Sequence, residues 1–117
     1  MIKIRWRGSC DYLPVLEEMR RYTDVRGAGS DDEIWLLEHP PVYTLGLGAT
    51  LEHLLQETSI PVVRADRGGQ VTYHGPGQLV AYLLLDFASR NLKVRELVRR
   101  TEQAVIDLLR NDYGLNA

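Results

Sequence analysis

The sequence predicts an α/β (α+β) fold: a mixed sheet with helices packed against it, rather than a parallel doubly wound sheet. Three observations carry this. Short runs of strand-like composition follow one another through tight turns, as at Gly75-Pro76-Gly77. Two segments, near Tyr12–Val25 and from Val94 onward, repeat apolar residues at helical spacing. Strands and helices alternate irregularly, without the steady strand–helix rhythm of a parallel sheet.

Ile2, Ile4 and Trp6 alternate with Lys3, Arg5 and Arg7, the pattern of a half-buried strand, and Gly8-Ser9-Cys10-Asp11 breaks it. Asp11 suits an N-cap, and Pro14 falls in the first helical turn, where its missing N–H costs nothing. Tyr12, Val15, Leu16, Met19 and Tyr22 then form one helical face, which is expected to end near Val25. Residues 26–32 read as a loop. Glu33 to Glu38 reads as a buried strand closed by His39-Pro40-Pro41, and Val42 to Leu45 as a short strand. Gly46-Leu47-Gly48 opens a turn, Leu51 to Gln56 suits a short helix, and Val62 to Ala65 is another strand. Gln70 to His74 has strand composition, and Gln78 to Leu85 is a further apolar strand. Because the stretch from Leu79 is apolar on both faces, it suits a central, doubly covered strand. With Gly75-Pro76-Gly77 between them, the last two strands can be read as a hairpin with a polar tip. Val94, Leu97, Val98, Thr101, Ala104, Val105, Leu108 and Leu109 mark the amphipathic helix, with Gly114 as its stop.

At 117 residues, a single domain is expected. Hydrophobic residues at 44% and charged residues at 26% exclude a disordered chain. A formal net charge of -2 gives no electrostatic case for nucleic-acid binding. The N-terminus lacks the apolar core of a signal peptide, and the longest apolar run is far too short to span a bilayer, so no membrane partner is expected. The single cysteine, Cys10, forbids an intrachain disulfide and fits a cytoplasmic setting.

No stretch is as dense in chemically special residues as Arg67 to Tyr82. Gly68 and Gly69 can take positive φ and let a ligand reach main-chain N–H groups. Arg67 can bind an anion or lock the turn by bonding carbonyls. His74 can act as an acid or base near neutral pH, or only shape a pocket. Tyr73 and Tyr82 more often pack than catalyse. The competing readings are weaker. Gly46-Leu47-Gly48 lacks the third glycine of a dinucleotide site, and no phosphate-binding Gly-Lys-Ser/Thr sequence is present. His39, His53 and His74 lack metal-ligand spacing. Cys10 sits before a helix start, which favours a thiolate, but Asp11 opposes one, and a packing role is the simpler reading.

Arg-Gly-Gly-x-x-Thr-Tyr-His-Gly-Pro-Gly-Gln-x-x-x-Tyr, residues 67–82, resembles the signature of the lipoyl (octanoyl) transferases. Trp35 to Gly46 resembles a second block of that family. The resemblance implies a fold shared with lipoate ligases and biotin protein ligases. It implies transfer of an octanoyl group from acyl carrier protein to a lysine of lipoyl domains, those of 2-oxoacid dehydrogenases and the glycine cleavage protein, with no cofactor. It also implies a substrate-binding role for Arg67, Gly68, Gly69, Gln70, Val71, Thr72, Tyr73 and His74, with Gly75 to Gln78 shaping the same wall. In the family, a cysteine carries the acyl group and a lysine lowers its pKa, both downstream of the signature. Neither Cys10 nor Lys93 matches them, so no catalytic residue is expected within residues 1–117, which read as the N-terminal part of the domain. A non-catalytic acyl- or lipoyl-binding module is the alternative.

Overall fold

The computed structural model describes residues 1–49 and 59–117. The expected helix at Leu51 to Gln56, and His53 with it, lies outside the described residues. The described chain divides into two compact units, Met1–Leu84 and Leu85–Ala117.

Among the described residues, the first unit holds six strands and one helix: β1 Ile2–Ser9, α1 Tyr12–Val25, β2 Asp32–Glu38, β3 Val42–Leu45, β4 Val62–Arg64, β5 Val71–His74 and β6 Val80–Leu84. They form two three-stranded sheets, in the orders β1-β2-β6 and β4-β3-β5. Each is mixed. β2 runs parallel to β1 and antiparallel to β6, and β3 runs parallel to β4 and antiparallel to β5. The hairpin reading is therefore corrected. β5 and β6 are not partners, and the Gly75-Pro76-Gly77 turn carries the chain from one sheet to the other. A tight turn looks the same in sequence whether its flanking strands pair or part.

α1 serves both sheets. Tyr12 and Leu16 pack with Val42 and Ala65 of the second sheet's cluster. Val15 packs with Trp35, Leu37 and Leu84 of the first sheet. Met19, one turn further along the same face, touches both clusters. Asp11 occupies the N-cap position in extended conformation, but its side chain makes no capping hydrogen bond.

Four strand expectations change. Ile4, Ile34 and Leu83 lie in register across the first sheet, as do Trp6, Leu36 and Ala81, so they share the face opposite α1. β1 is accordingly not half-buried through its apolar residues: Trp6 is 74% exposed and Ile4 61%. The helix side of β1 is covered by charged residues instead. The Arg7 guanidinium lies 4.7 Å over the Trp35 ring and reaches Glu18 at 2.7 Å. β1 also continues through Gly8, which takes φ +68 where the register with β2 shifts. The apolar strand around Leu79 is not central either. Among the described residues β6 pairs only with β2, and Leu79 is exposed. Asp32, read as a loop residue, begins β2 and is buried because Arg26 pairs with it at 2.7 Å.

The second unit is a loop followed by α2, Val94–Tyr113. Gly114 ends the helix in left-handed conformation, with Leu115 N–H donating to Leu109 O at 3.0 Å. No residue of α2 is buried.

Candidate functional site

The residues singled out by sequence fall into three groups in space. The first is a knot at the start of β5. Arg67 turns inward to β3. Its Nη2 donates to Thr44 O at 2.8 Å and to Thr44 Oγ1 at 2.7 Å, and its Nη1 donates to Gly68 O at 2.8 Å. Thr44 itself is fully buried. Of the two roles open to Arg67, the structure shows the turn-locking one. A guanidinium has donors in a fixed fork and no acceptor, so convergent carbonyl and hydroxyl oxygens hold it well.

The Gly46–Gly48 turn closes the same knot from the other side. Gly46 N–H donates to Gln70 O at 2.7 Å, Leu47 N–H to Arg67 O at 2.8 Å and Gly48 N–H to Gly69 O at 3.1 Å. A Cβ on Gly46 would stand 2.4 Å from Gly69 O and 2.7 Å from Gly68 O. Glycine is needed there for close approach of two backbones. Of the Gly68-Gly69 pair, only Gly69 has positive φ, at +86. The N–H groups of Gly68, Gly69 and Gln70 have no acceptor among the described residues.

Second comes β5 itself. Its register with β3 pairs Thr72 with Thr44 and His74 with Val42, placing those side chains on one face. Val71 and Tyr73 take the opposite face, where the Tyr73 ring lies 5.4 Å from Tyr43. The eight residues 67–74 are thus not one wall of side chains.

The third is a ring cluster where the two sheets meet. The His74 ring stacks on Tyr12 at 6.4 Å and 16°, and lies 5.9 Å from the His39 ring. His74 Nδ1 is 2.6 Å from Gln78 Oε1. His39 is fully buried, with Nδ1 2.7 Å from Cys10 O and Nε2 2.8 Å from Tyr82 Oη. Burial lowers the His39 pKa below the ordinary histidine value, so the ring is neutral near pH 7. Burial also raises the Tyr82 and Tyr12 phenols, which stay protonated. Glu38, at the end of β2, accepts from Gly77 N–H at 2.5 Å and ties the crossing turn to the first sheet.

Sequence reasoning considered His39 only as a metal ligand and missed its place beside His74. The signal available was its position closing β2 within the Trp35–Gly46 block. Cys10 is half-buried, donates its thiol to Arg7 O at 3.2 Å, and packs against the Trp35 cluster. Among the described residues, no group of three His, Cys, Asp or Glu residues could hold a metal ion. No described helix is long and apolar enough to cross a membrane.

Known proteins resemble this chain in fold and in sequence. A solved structure from T. acidophilum, assigned provisionally as a lipoate protein ligase, superposes with a TM-score of 0.68 over 97% of this chain and 48% of its own, at 15% identity. That likeness carries the fold. An octanoyltransferase of Aromatoleum aromaticum is 61% identical over 97% of this chain and 49% of its own length. One from Pseudomonas entomophila is 60% identical over 100% of the chain and 54% of its own. The chain spans about half the length of the curated relatives it matches. Residues 11–117, which include the knot, β5 and the ring cluster, match the family described as lipoyl protein ligase A/B catalytic domain, and the chain belongs to that family.

Proposed function

We propose that this chain forms the substrate-binding part of an octanoyltransferase, which moves an octanoyl group from acyl carrier protein to a lysine of a lipoyl domain in the cytoplasm. One observation carries the reading: relatives named octanoyltransferase are 56–63% identical over at least 91% of the chain. The geometry supports it in two ways. The knot around Arg67 leaves the consecutive N–H groups of Gly68, Gly69 and Gln70 open to a carbonyl oxygen of a bound acyl chain. β5 then extends from that point with Thr72 exposed and Val71 half-buried. On this reading Arg67 is a structural member of the site, while Gly68 to His74 meet substrate, and residues 1–117 act within one catalytic domain. The acyl-carrying cysteine and its lysine come from the half of the relatives' length that this chain does not span. Acceptors are the lipoyl domains of 2-oxoacid dehydrogenases and of the glycine cleavage protein.

A chimera tests this. Residues 1–117 replace the matched part of the Pseudomonas entomophila octanoyltransferase, and the product is assayed with octanoyl-acyl carrier protein and a lipoyl domain. The chimera should octanoylate the acceptor lysine, seen as a mass increase of the domain, and the 117-residue chain alone should not. Turnover by the chain alone that disappears in Cys10→Ala would place the nucleophile at Cys10 and refute the assignment.

A further inference from the structure

The two ring nitrogens of a histidine differ, and the neighbour of one decides the state of the other. At His39 both are claimed. The Cys10 carbonyl can only accept, so Nδ1 carries the proton, and Nε2 is the lone pair to which the Tyr82 hydroxyl donates. At His74 only one is claimed. Gln78 Nε2 faces the Tyr73 carbonyl at 3.5 Å, and a carbonyl can only accept, so the amide is oriented with Oε1 toward His74. Nδ1 of His74 therefore donates to Gln78 Oε1. Its Nε2 has no partner among the described residues. The ring is also held by Tyr12 and His39, whose own orientation is fixed from both sides.

We propose that Gln78 is a positioning residue of this site: it holds His74 as the Nδ1–H tautomer, so that Nε2 is presented as a basic lone pair to an N–H donor of the substrate. The inference deepens the acyl-transfer reading and rests on it. The substrates of that reaction offer two such donors, the amides of the pantetheine arm that bears the acyl group and the amine of the acceptor lysine. Free histidine favours the opposite tautomer, with the proton on Nε2, which would present a donor where the substrate N–H needs an acceptor.

The tautomer is read directly by nitrogen-15 NMR of the imidazoles in the 117-residue chain, at a pH where both rings are neutral. His74 should carry its proton on Nδ1. Gln78→Leu should move it to Nε2 while the His39 pattern stays unchanged, which shows the fold intact. Gln78→Glu should keep it on Nδ1, because a carboxylate also accepts. In the active chimera, Gln78→Leu should lower kcat/KM about tenfold, the loss of one hydrogen bond, and Gln78→Glu should restore most of it. A rise in KM for octanoyl-acyl carrier protein assigns the donor to the pantetheine arm, and a rise for the lipoyl domain assigns it to the lysine. An Nε2–H tautomer in the wild-type chain, a tautomer indifferent to Gln78, or a shifted tautomer with unchanged turnover would each overturn the proposal. An inactive chimera sinks the acyl-transfer reading, whereas the NMR result tests the positioning without turnover.

Discussion

Gly46→Ala is the sharpest single perturbation of the knot that holds Arg67 to Gln70. The added Cβ would stand 2.4 Å from Gly69 O, 2.7 Å from Gly68 O and 2.9 Å from Arg67 Nη1. Two of these are backbone atoms, which cannot swing aside as a side chain can. Relief requires the two strands of the knot to separate by most of an ångström. That lengthens the 2.7 Å bond from Gly46 N–H to Gln70 O and the 2.8 Å bond from Leu47 N–H to Arg67 O. Overpacking costs roughly 1–3 kcal/mol. A weakened hydrogen bond adds about 1 kcal/mol. Alanine stiffens the unfolded chain, which returns about 0.4–1 kcal/mol. The net expectation is about 2–3 kcal/mol of lost stability.

Gly48→Ala is the control, because a Cβ there meets Gly69 O at 3.4 Å, an ordinary contact. It should lose no stability, and the stiffer unfolded chain should add about 0.4–1 kcal/mol. Urea unfolding followed by tryptophan fluorescence measures both. Trp35 is 2% exposed and Trp6 74% exposed, so the signal change on unfolding comes mainly from Trp35. With a slope of roughly 1–3 kcal/mol per molar urea, Gly46→Ala should lower the midpoint by about 1–2 M. If the two variants unfold within about 0.5 kcal/mol of each other, the close approach of the Gly46 and Gly68-Gly69 backbones is not what holds the knot.

Three further outcomes follow from the buried histidine and the exposed helix. Tyr82→Phe removes the only donor to His39 Nε2 among the described residues, and leaving that buried lone pair unmet should cost about 1–3 kcal/mol at pH 7.5 by urea unfolding. The wild-type His39 ring should titrate below 6.5 by NMR. Its folded pKa is depressed by burial, so its contribution to stability is full above 6.5 and is lost as pH falls from there through the folded pKa. Glu96 is drawn down to about 2 by hydrogen bonds from Arg99 and then Arg100, so its contribution to the helix is full above 4.5 and is lost as pH falls from 4.5 to about 2. Because Glu96 is fully exposed, a carbon-13 carboxyl titration in high salt should move its midpoint back toward 4.5.

The helices were legible because their signal is local. Periodic apolar positions fix α1 and α2, and Gly114 marks the end of α2 through a backbone conformation that other residues resist. Strand positions were legible for the same reason, to within a residue or two at β2 through β6. Strand partnership was not. Val71–His74 and Val80–Leu84 look like a hairpin, yet each finds its partner elsewhere, at Val42–Leu45 and at Asp32–Glu38. Nothing in a glycine-proline-glycine turn records that choice. The site was legible as a stretch of sequence but not as an arrangement. Arg67 turns inward because Thr44, 23 positions away, offers two oxygens. His39 becomes a site residue only through Cys10, 29 positions away, and Tyr82, 43 positions away.

The ring cluster also does something that the apolar clusters cannot. α1 packs Val15 on one sheet and Leu16 on the other, and such contacts hold the sheets together without fixing how one slides past the other. Directional contacts remove that freedom. His39 follows β2, Tyr82 lies on β6, His74 ends β5 and Tyr12 begins α1, so four elements converge on rings whose angles and hydrogen bonds admit few alternatives. The Glu38 carboxylate adds a charge-assisted bond to the backbone of the crossing turn. The sheet that carries the Arg67 knot is thereby aligned with the sheet that carries His39. On the proposed acyl-transfer reading, a substrate lying along β5 would meet the N–H groups of Gly68 to Gln70 at one end and His74 at the other, at a spacing set by β5 and by this seam.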